Sequence, residues 1–167
     1  MTDRTRFTDE EWQTLRDAPQ LAAMAVASSG SSGFFGTLKE AVSASSAVLA
    51  GMKSDNQLIS TLNARDEIKT SQAALQNRLK AMREGVKDKE ELRTRAATLA
   101  LDEVRAAIDI LRSKGNVDEV DAYRAFVQST GQRVAEAAKE GAFLGFGGER
   151  VSEAEIDMLK RLESVLN

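Results

Sequence analysis

Carboxylates, amines, guanidinium groups and hydroxyls carry the acid, base and nucleophilic chemistry open to this 167-residue chain, because it contains no histidine and no cysteine. That composition excludes Ser-His-Asp and Cys-His nucleophilic pairs, disulfides, zinc sites built on thiolate or imidazole, and haem held by axial His or Cys. We therefore expect no cofactor. We also expect no tightly bound transition metal, since the soft and imidazole ligands that hold such ions are missing.

Adjacent carboxylates are the remaining candidates for general acid and base catalysis, at Glu10–Glu11, Glu90–Glu91 and Asp102–Glu103. These pairs fall at predicted helix starts or on outer helix faces, which is typical of helix-dipole and surface roles. A catalytic pair also needs a cleft, and no pattern in the sequence indicates one. We expect a protein without enzymatic activity, with a carboxylate-based enzyme as an alternative.

The segment GFGGERVSEAE, residues 145–155, is rich in glycine and leads into a predicted helix start, an arrangement that binds phosphate in other proteins. No strand precedes it and no Lys-Ser or Lys-Thr pair follows the glycines, so a nucleotide site is not expected, and at most a weakly bound anion remains. A calcium loop is excluded as well. Its upstream ligand positions would be Leu144, Phe146 and Gly148, and none of them is acidic.

Charge and hydropathy narrow the class of protein further. There are 23 Lys and Arg residues against 26 Asp and Glu, a formal net charge of −3, which argues against general nucleic-acid binding. The longest apolar run, Leu21–Ala27, is far shorter than the roughly 20 residues of a membrane-spanning helix. Acidic residues lie between this run and the basic residues before it, which is unlike a secretion signal. We expect a cytoplasmic protein with no transmembrane segment.

The elements that must position these residues are predicted to be helices throughout. Aromatic residues make up 5% and there is one proline, while alanine supplies much of the 42% hydrophobic share. Ser, Thr, Asp or Asn stands three residues before Glu at five places, the pattern of a helix N-cap with its partner carboxylate: Thr8–Glu11, Thr37–Glu40, Asp88–Glu91, Asn116–Glu119 and Ser152–Glu155. These signals predict an all-α fold, an antiparallel bundle of about five main helices with a short helix near each terminus, as one domain over residues 1–167.

Four local predictions concern where helices end and which faces they bury. Pro19 predicts that a first helix ends near Arg16 and that a second begins at the proline. One helix is expected from Asp55 to about Glu84. Gly115 is expected to end the next helix in the left-handed conformation. Ile156 is expected to pack against Val151 as a hydrophobic staple and to lie on the buried face of the last helix.

Alternation of helix direction predicts which loops lie together. If the helices run up and down, the loops at 29–36, 85–88 and 141–151 share one end of the bundle. Two of these loops combine glycine with large apolar residues, namely Phe34, Phe35, Phe143, Leu144 and Phe146. The third loop is a hairpin flanked by a candidate basic patch, made of Arg78, Lys80, Arg83, Lys87 and Lys89.

Two interpretations of this end remain open. The aromatic residues could plug the open end of the core, with at least one of Phe143 and Phe146 buried, or they could form a docking surface, and one loop can do both. We expect an interaction or structural protein that works through this end. Its predicted partner is a second copy of the chain, most simply in a two-fold dimer, and another protein partner is possible. The alternative is a peripheral binder of an anionic ligand or membrane surface through the same end.

The stretch AAKEGAFLGFGGERVSEAEIDMLKRL, Ala137–Leu162, resembles the C-terminal tails of small helical proteins of prokaryotes. FTDEEWQTLRDAP, residues 7–19, resembles them more loosely. The resemblance implies a prokaryotic origin. It implies no activity, because no activity is attached to that group, and it transfers no site residue.

Overall fold

The computed structural model of this chain describes residues 4–30, 50–140 and 151–167. A 3₁₀ turn at Arg4–Arg6 precedes six α-helices, and no strand occurs in the described ranges. The α-helices are α1 (Asp9–Ser29), α2 (Gln57–Leu62), α3 (Arg65–Arg83), α4 (Lys89–Lys114), α5 (Val117–Glu140) and α6 (Glu153–Leu166). The predicted all-α bundle is confirmed.

Helix α1 is the centre of the bundle. Every residue from Leu15 to Ser28 is buried, and the helix contacts α3, α4, α5 and α6. The second half of α1, from Pro19 to Ser28, is apolar nearly all round and has no face for solvent, so its central position follows from its sequence. Neighbouring helices approach it closely. At Gly131 of α5, an added Cβ would lie 3.1 Å from a Leu159 methyl carbon and 3.6 Å from Val26 Cγ2.

Contacts between helix ends show that α1 and α4 run antiparallel. Near the start of α1, Lys114 Nζ at the end of α4 donates to Glu11 Oε2 at 2.6 Å. At the other end of α1, Arg93 Nη2 in the first turns of α4 donates to the carbonyl oxygen of Gly30 at 3.1 Å. The start of α6 also lies beside Gly30, since an added Cβ there would be 3.1 Å from Glu155 Oε1.

The predicted helix end near Arg16 is wrong, because α1 continues through Pro19 without interruption. Proline has no N–H, so the carbonyl four residues earlier, that of Leu15, loses its helical hydrogen bond. The hydroxyl of Tyr123 in α5 donates to that oxygen at 2.8 Å. Burial of the whole segment and this replacement donor keep the helix continuous.

The single helix expected over residues 55–84 is also wrong, because the chain breaks between α2 and α3 at Asn63 and Ala64. Asn63 is buried and caps the end of α2 with two hydrogen bonds. Its backbone N–H and its Nδ2 both donate to the carbonyl of Ile59, at 3.1 and 2.8 Å. Ala64 is extended and precedes the first turn of α3. The polar residues Arg65 and Asp66, which interrupt the apolar stripe, are exposed just after the break.

The buried face of α6 differs from the prediction. Ile156 is 42% exposed, and the inward positions belong to Glu155, Met158, Leu162 and Leu166. Glu155 turns inward because it accepts hydrogen bonds from Ser152 and lies beside Gly30, so Ile156 falls on the outer side.

Gly115 is extended rather than left-handed, with φ −87° and ψ −179°. The only positive φ in the described ranges is at Gly85, 76°, in the α3–α4 hairpin.

Four of the five predicted N-caps lie in the described residues, and all four are formed. The backbone N–H three residues on donates to the side chain of Thr8, Asp88, Asn116 and Ser152, at 2.8 to 3.3 Å. The carboxylates of Glu11, Glu119 and Glu155 also accept from the backbone N–H of their cap residues. The fifth predicted cap, Thr37–Glu40, lies outside the described residues.

Candidate functional site

Three helix ends meet where α1 finishes, and we call this the distal end: Gly30, residues 84–93 and residues 151–155. The guanidinium of Arg93 joins α4 to the α1 terminus through the Gly30 carbonyl. Glu155 joins α6 to the same place, with Ser152 held in its capping box. The described ends of the three predicted loops therefore gather at one end of the bundle, as the alternation of helix direction predicts.

The large apolar residues predicted at this end, Phe34, Phe35, Phe143, Leu144 and Phe146, lie outside the described residues. Their flanking positions are described: Gly30 precedes the first segment and Val151 follows the second. Val151 is partly buried and packs against the core.

The structure divides the predicted basic patch. Arg78 lies between α3 and α4, where its Nη1 donates to Glu103 Oε1 at 2.6 Å. The other four residues, Lys80, Arg83, Lys87 and Lys89, are exposed. Three of those, Arg83, Lys87 and Lys89, line a shallow hollow of the α3–α4 hairpin together with Val86, Asp88 and Leu92. The hairpin keeps its basic character, while Arg78 belongs to the helix packing.

A cleft of about 220 Å³ opens at the distal end between α1, α4 and α6. Arg93 and Arg161 supply its positive charge, and Glu90 and Asp157 supply negative charge. Its remaining lining is small or apolar: Ala25, Ser28, Ser29, Thr94, Ala97, Ala154 and Met158. The sequence did not predict this pair of arginines, because no local pattern relates Arg161 on α6 to Arg93 on α4.

A second polar cluster is buried near the start of α1. Arg16 donates to both carboxylate oxygens of Asp17, at 2.8 and 3.2 Å, and to Glu67 Oε2 of α3 at 3.3 Å. Trp12 Nε1 donates to the other oxygen of Glu67 at 3.0 Å. Phe7 packs against Trp12 with the rings tilted and their centroids 5.9 Å apart, which is the contact of a hydrophobic staple at this helix start. The cluster ties α3 to α1.

The pKa values of two groups in this region are raised by their surroundings. The pKa of Tyr123 is raised well above its usual value of 10, first because the phenol is buried and then because of the negative charges of Asp17 and Glu103. Burial alone would lower the pKa of Arg16, but hydrogen bonds and charge from Asp17 and Glu67 outweigh it and raise that pKa. Both shifts favour a neutral phenol and a charged guanidinium, which suits a packed core.

The described ranges contain neither a membrane-spanning helix nor a group of metal ligands. No helix there has the length and hydropathy to cross a membrane. No group of three or more acidic residues there has the geometry to hold a metal ion. The chain also matches no protein-family model, no curated protein sequence and no solved structure. The resemblance of the C-terminal stretch therefore brings no family, activity or partner to the chain.

Proposed function

We propose that this chain is a non-enzymatic interaction protein that associates with a second copy of itself through the distal end. The observation that carries the proposal is the exposed Ile156 in the first turn of α6. In the sequence, Ile156 follows the apolar residues Phe143, Leu144 and Phe146. An isoleucine left 42% exposed, with three further apolar residues shortly before it in the sequence, favours contact with another protein surface.

Polar groups buried in the core make hydrogen bonds to neighbouring helices, which is a structural role. Tyr123 donates a hydrogen bond to the backbone carbonyl of Leu15, and Trp12 and Arg16 of α1 donate to Glu67 of α3. These groups stabilise the packing of α1 against α3 and α5. Their contacts therefore favour an architectural protein over a carboxylate-based enzyme.

Light scattering over a range of protein concentrations tests the proposal, with Ile156→Glu and Val117→Glu as a matched pair. Both residues are exposed apolar residues at the start of a helix, at 42% and 74%, but Val117 lies at the opposite end of the bundle. We expect the native chain and Val117→Glu to form dimers. We expect Ile156→Glu to weaken the dimer about tenfold or more, because an unpaired charge would be buried in the contact.

Two results would contradict the proposal. A native chain that stays monomeric at all concentrations removes self-association. Equal weakening by both glutamate variants would show that the distal end is not the contact.

A further inference from the structure

We propose that the cleft between α1, α4 and α6 is a binding site for a small oxyanion, held by Arg93 and Arg161. The proposal is independent of self-association, because a chain that stays monomeric can still bind a ligand there. Guanidinium groups bind phosphate and carboxylate through paired N–H donors, and two of them line the same cleft of about 220 Å³. A space of that size fits a ligand of a few atoms around one phosphoryl or carboxylate group.

Arg93 is held in place before any ligand arrives. Its side chain is 29% exposed, and Nη2 is fixed by the Gly30 carbonyl at 3.1 Å. Its Nη1 lies 3.7 Å from Glu90 Oε2, beyond hydrogen-bond distance, and the Glu90 side chain is 81% exposed. Because that pair is long and solvated, the guanidinium retains donors for an anion.

Arg161 completes the site from the opposite wall. It is exposed and has no ion pair with any residue of the described ranges, although Asp157 stands one turn before it. The hydroxyls of Ser28 and Ser29 donate hydrogen bonds to the carbonyls of Ala25 and Val26, so neither has a donor left for an anion. The hydroxyl of Thr94 makes no hydrogen bond to the described residues and can donate to an oxyanion.

The two carboxylates of the cleft lower its affinity for a free anion. Glu90 and Asp157 repel it, so inorganic phosphate should bind in the millimolar range rather than tightly. Removing one carboxylate should therefore strengthen phosphate binding. A surface region without a site would not give this gain.

Isothermal titration of the full chain with inorganic phosphate, against sodium chloride at equal ionic strength, tests the proposal. Arg161→Gln should weaken binding about tenfold or more, since a hydrogen bond to a charged group contributes that much. Lys160→Gln, its neighbour on α6 outside the cleft, should leave the phosphate affinity unchanged.

Two further pairs of variants test the other residues of the cleft. Arg93→Gln should weaken phosphate binding as much as Arg161→Gln does, and Arg95→Gln on the same helix should not. Asp157→Asn should strengthen it, whereas Glu153→Gln should not.

Absence of phosphate binding, or equal losses in Arg161→Gln and Lys160→Gln, would overturn the proposal. Thermal unfolding of every variant shows that each is folded before its affinity is compared.

Flotation with phosphatidylglycerol vesicles distinguishes the source of the oxyanion. Phosphate binding without flotation supports a free ligand. Flotation that is abolished by Arg161→Gln and by Arg93→Gln, but not by Lys160→Gln, supports the same cleft with a lipid phosphate in it.

Discussion

The hydroxyl of Tyr123 donates a 2.8 Å hydrogen bond to the backbone carbonyl of Leu15, the carbonyl that Pro19 leaves without its helical partner. Tyr123 and Leu15 are both fully buried, so no water replaces that bond. A proline inside a helix normally breaks or kinks it. Here a side chain from α5, more than a hundred residues away, supplies the missing donor to α1.

Replacing this donor should destabilise the fold by an amount that depends on Pro19. Tyr123→Phe leaves a buried carbonyl unsatisfied and should lower the free energy of unfolding by about 1–3 kcal/mol. In a Pro19→Ala background the same change should cost less, because the new N–H at residue 19 can bond to Leu15. Urea unfolding of the two single variants and the double variant measures this coupling. Equal cost in both backgrounds would contradict the account.

Alkaline pH should destabilise the protein through Tyr123. The folded pKa of this phenol lies well above the usual value of 10, so at high pH the unfolded chain releases a proton that the folded chain keeps. Stability is therefore fully present below pH 10 and falls as the pH rises beyond it. Tyr123 is the single tyrosine, so tyrosinate absorbance reports on it alone. We expect that absorbance to appear together with unfolding. Tyrosinate formed while the circular dichroism stays native would refute this.

Glu67 should be the residue that holds α3 against α1. Glu67→Ala removes the acceptor of Trp12 and one partner of the buried Arg16, and should cost about 1–3 kcal/mol. The matched control is Asp66→Ala, at an exposed neighbouring position, which should stay within about 0.5 kcal/mol. Fluorescence of Trp12, the single tryptophan, together with urea unfolding measures both variants. Similar losses in the two variants would argue against the role of Glu67.

Gly51 should tolerate no side chain. An added Cβ would lie 2.6 Å from the Asn63 side-chain amide, which is buried and bonded to the Ile59 carbonyl. Gly51→Ala should displace Asn63 and cost about 1–3 kcal/mol, as overpacking does. Gly51→Ala combined with Asn63→Ala should lose less than the two single changes together, because the clash is gone. Thermal unfolding tests this, and simple additivity would disprove the contact.

The sequence by itself determined the helices and most of their starts. The caps at Thr8, Asp88, Asn116 and Ser152 form as predicted, because a cap needs only the cap residue and the backbone N–H three positions on. The central position of the second half of α1 follows from the sequence as well, since a helical segment without a polar face has to be surrounded by other helices. Alternation of helix direction was sufficient to bring the ends of α1, α4 and α6 together.

Only the tertiary structure decided the continuity of α1 through Pro19, the outward position of Ile156, the pairing of Arg78 with Glu103 and the cleft between Arg93 and Arg161. In each case the deciding partner lies on another helix or beyond it. Tyr123 donates to Leu15, Glu155 lies beside Gly30, Arg78 of α3 donates to Glu103 of α4, and α6 places Arg161 opposite α4. Local patterns specify backbone hydrogen bonds within one turn. The cost of burying a polar group depends on which distant side chain satisfies it, and that is settled only when the helices pack.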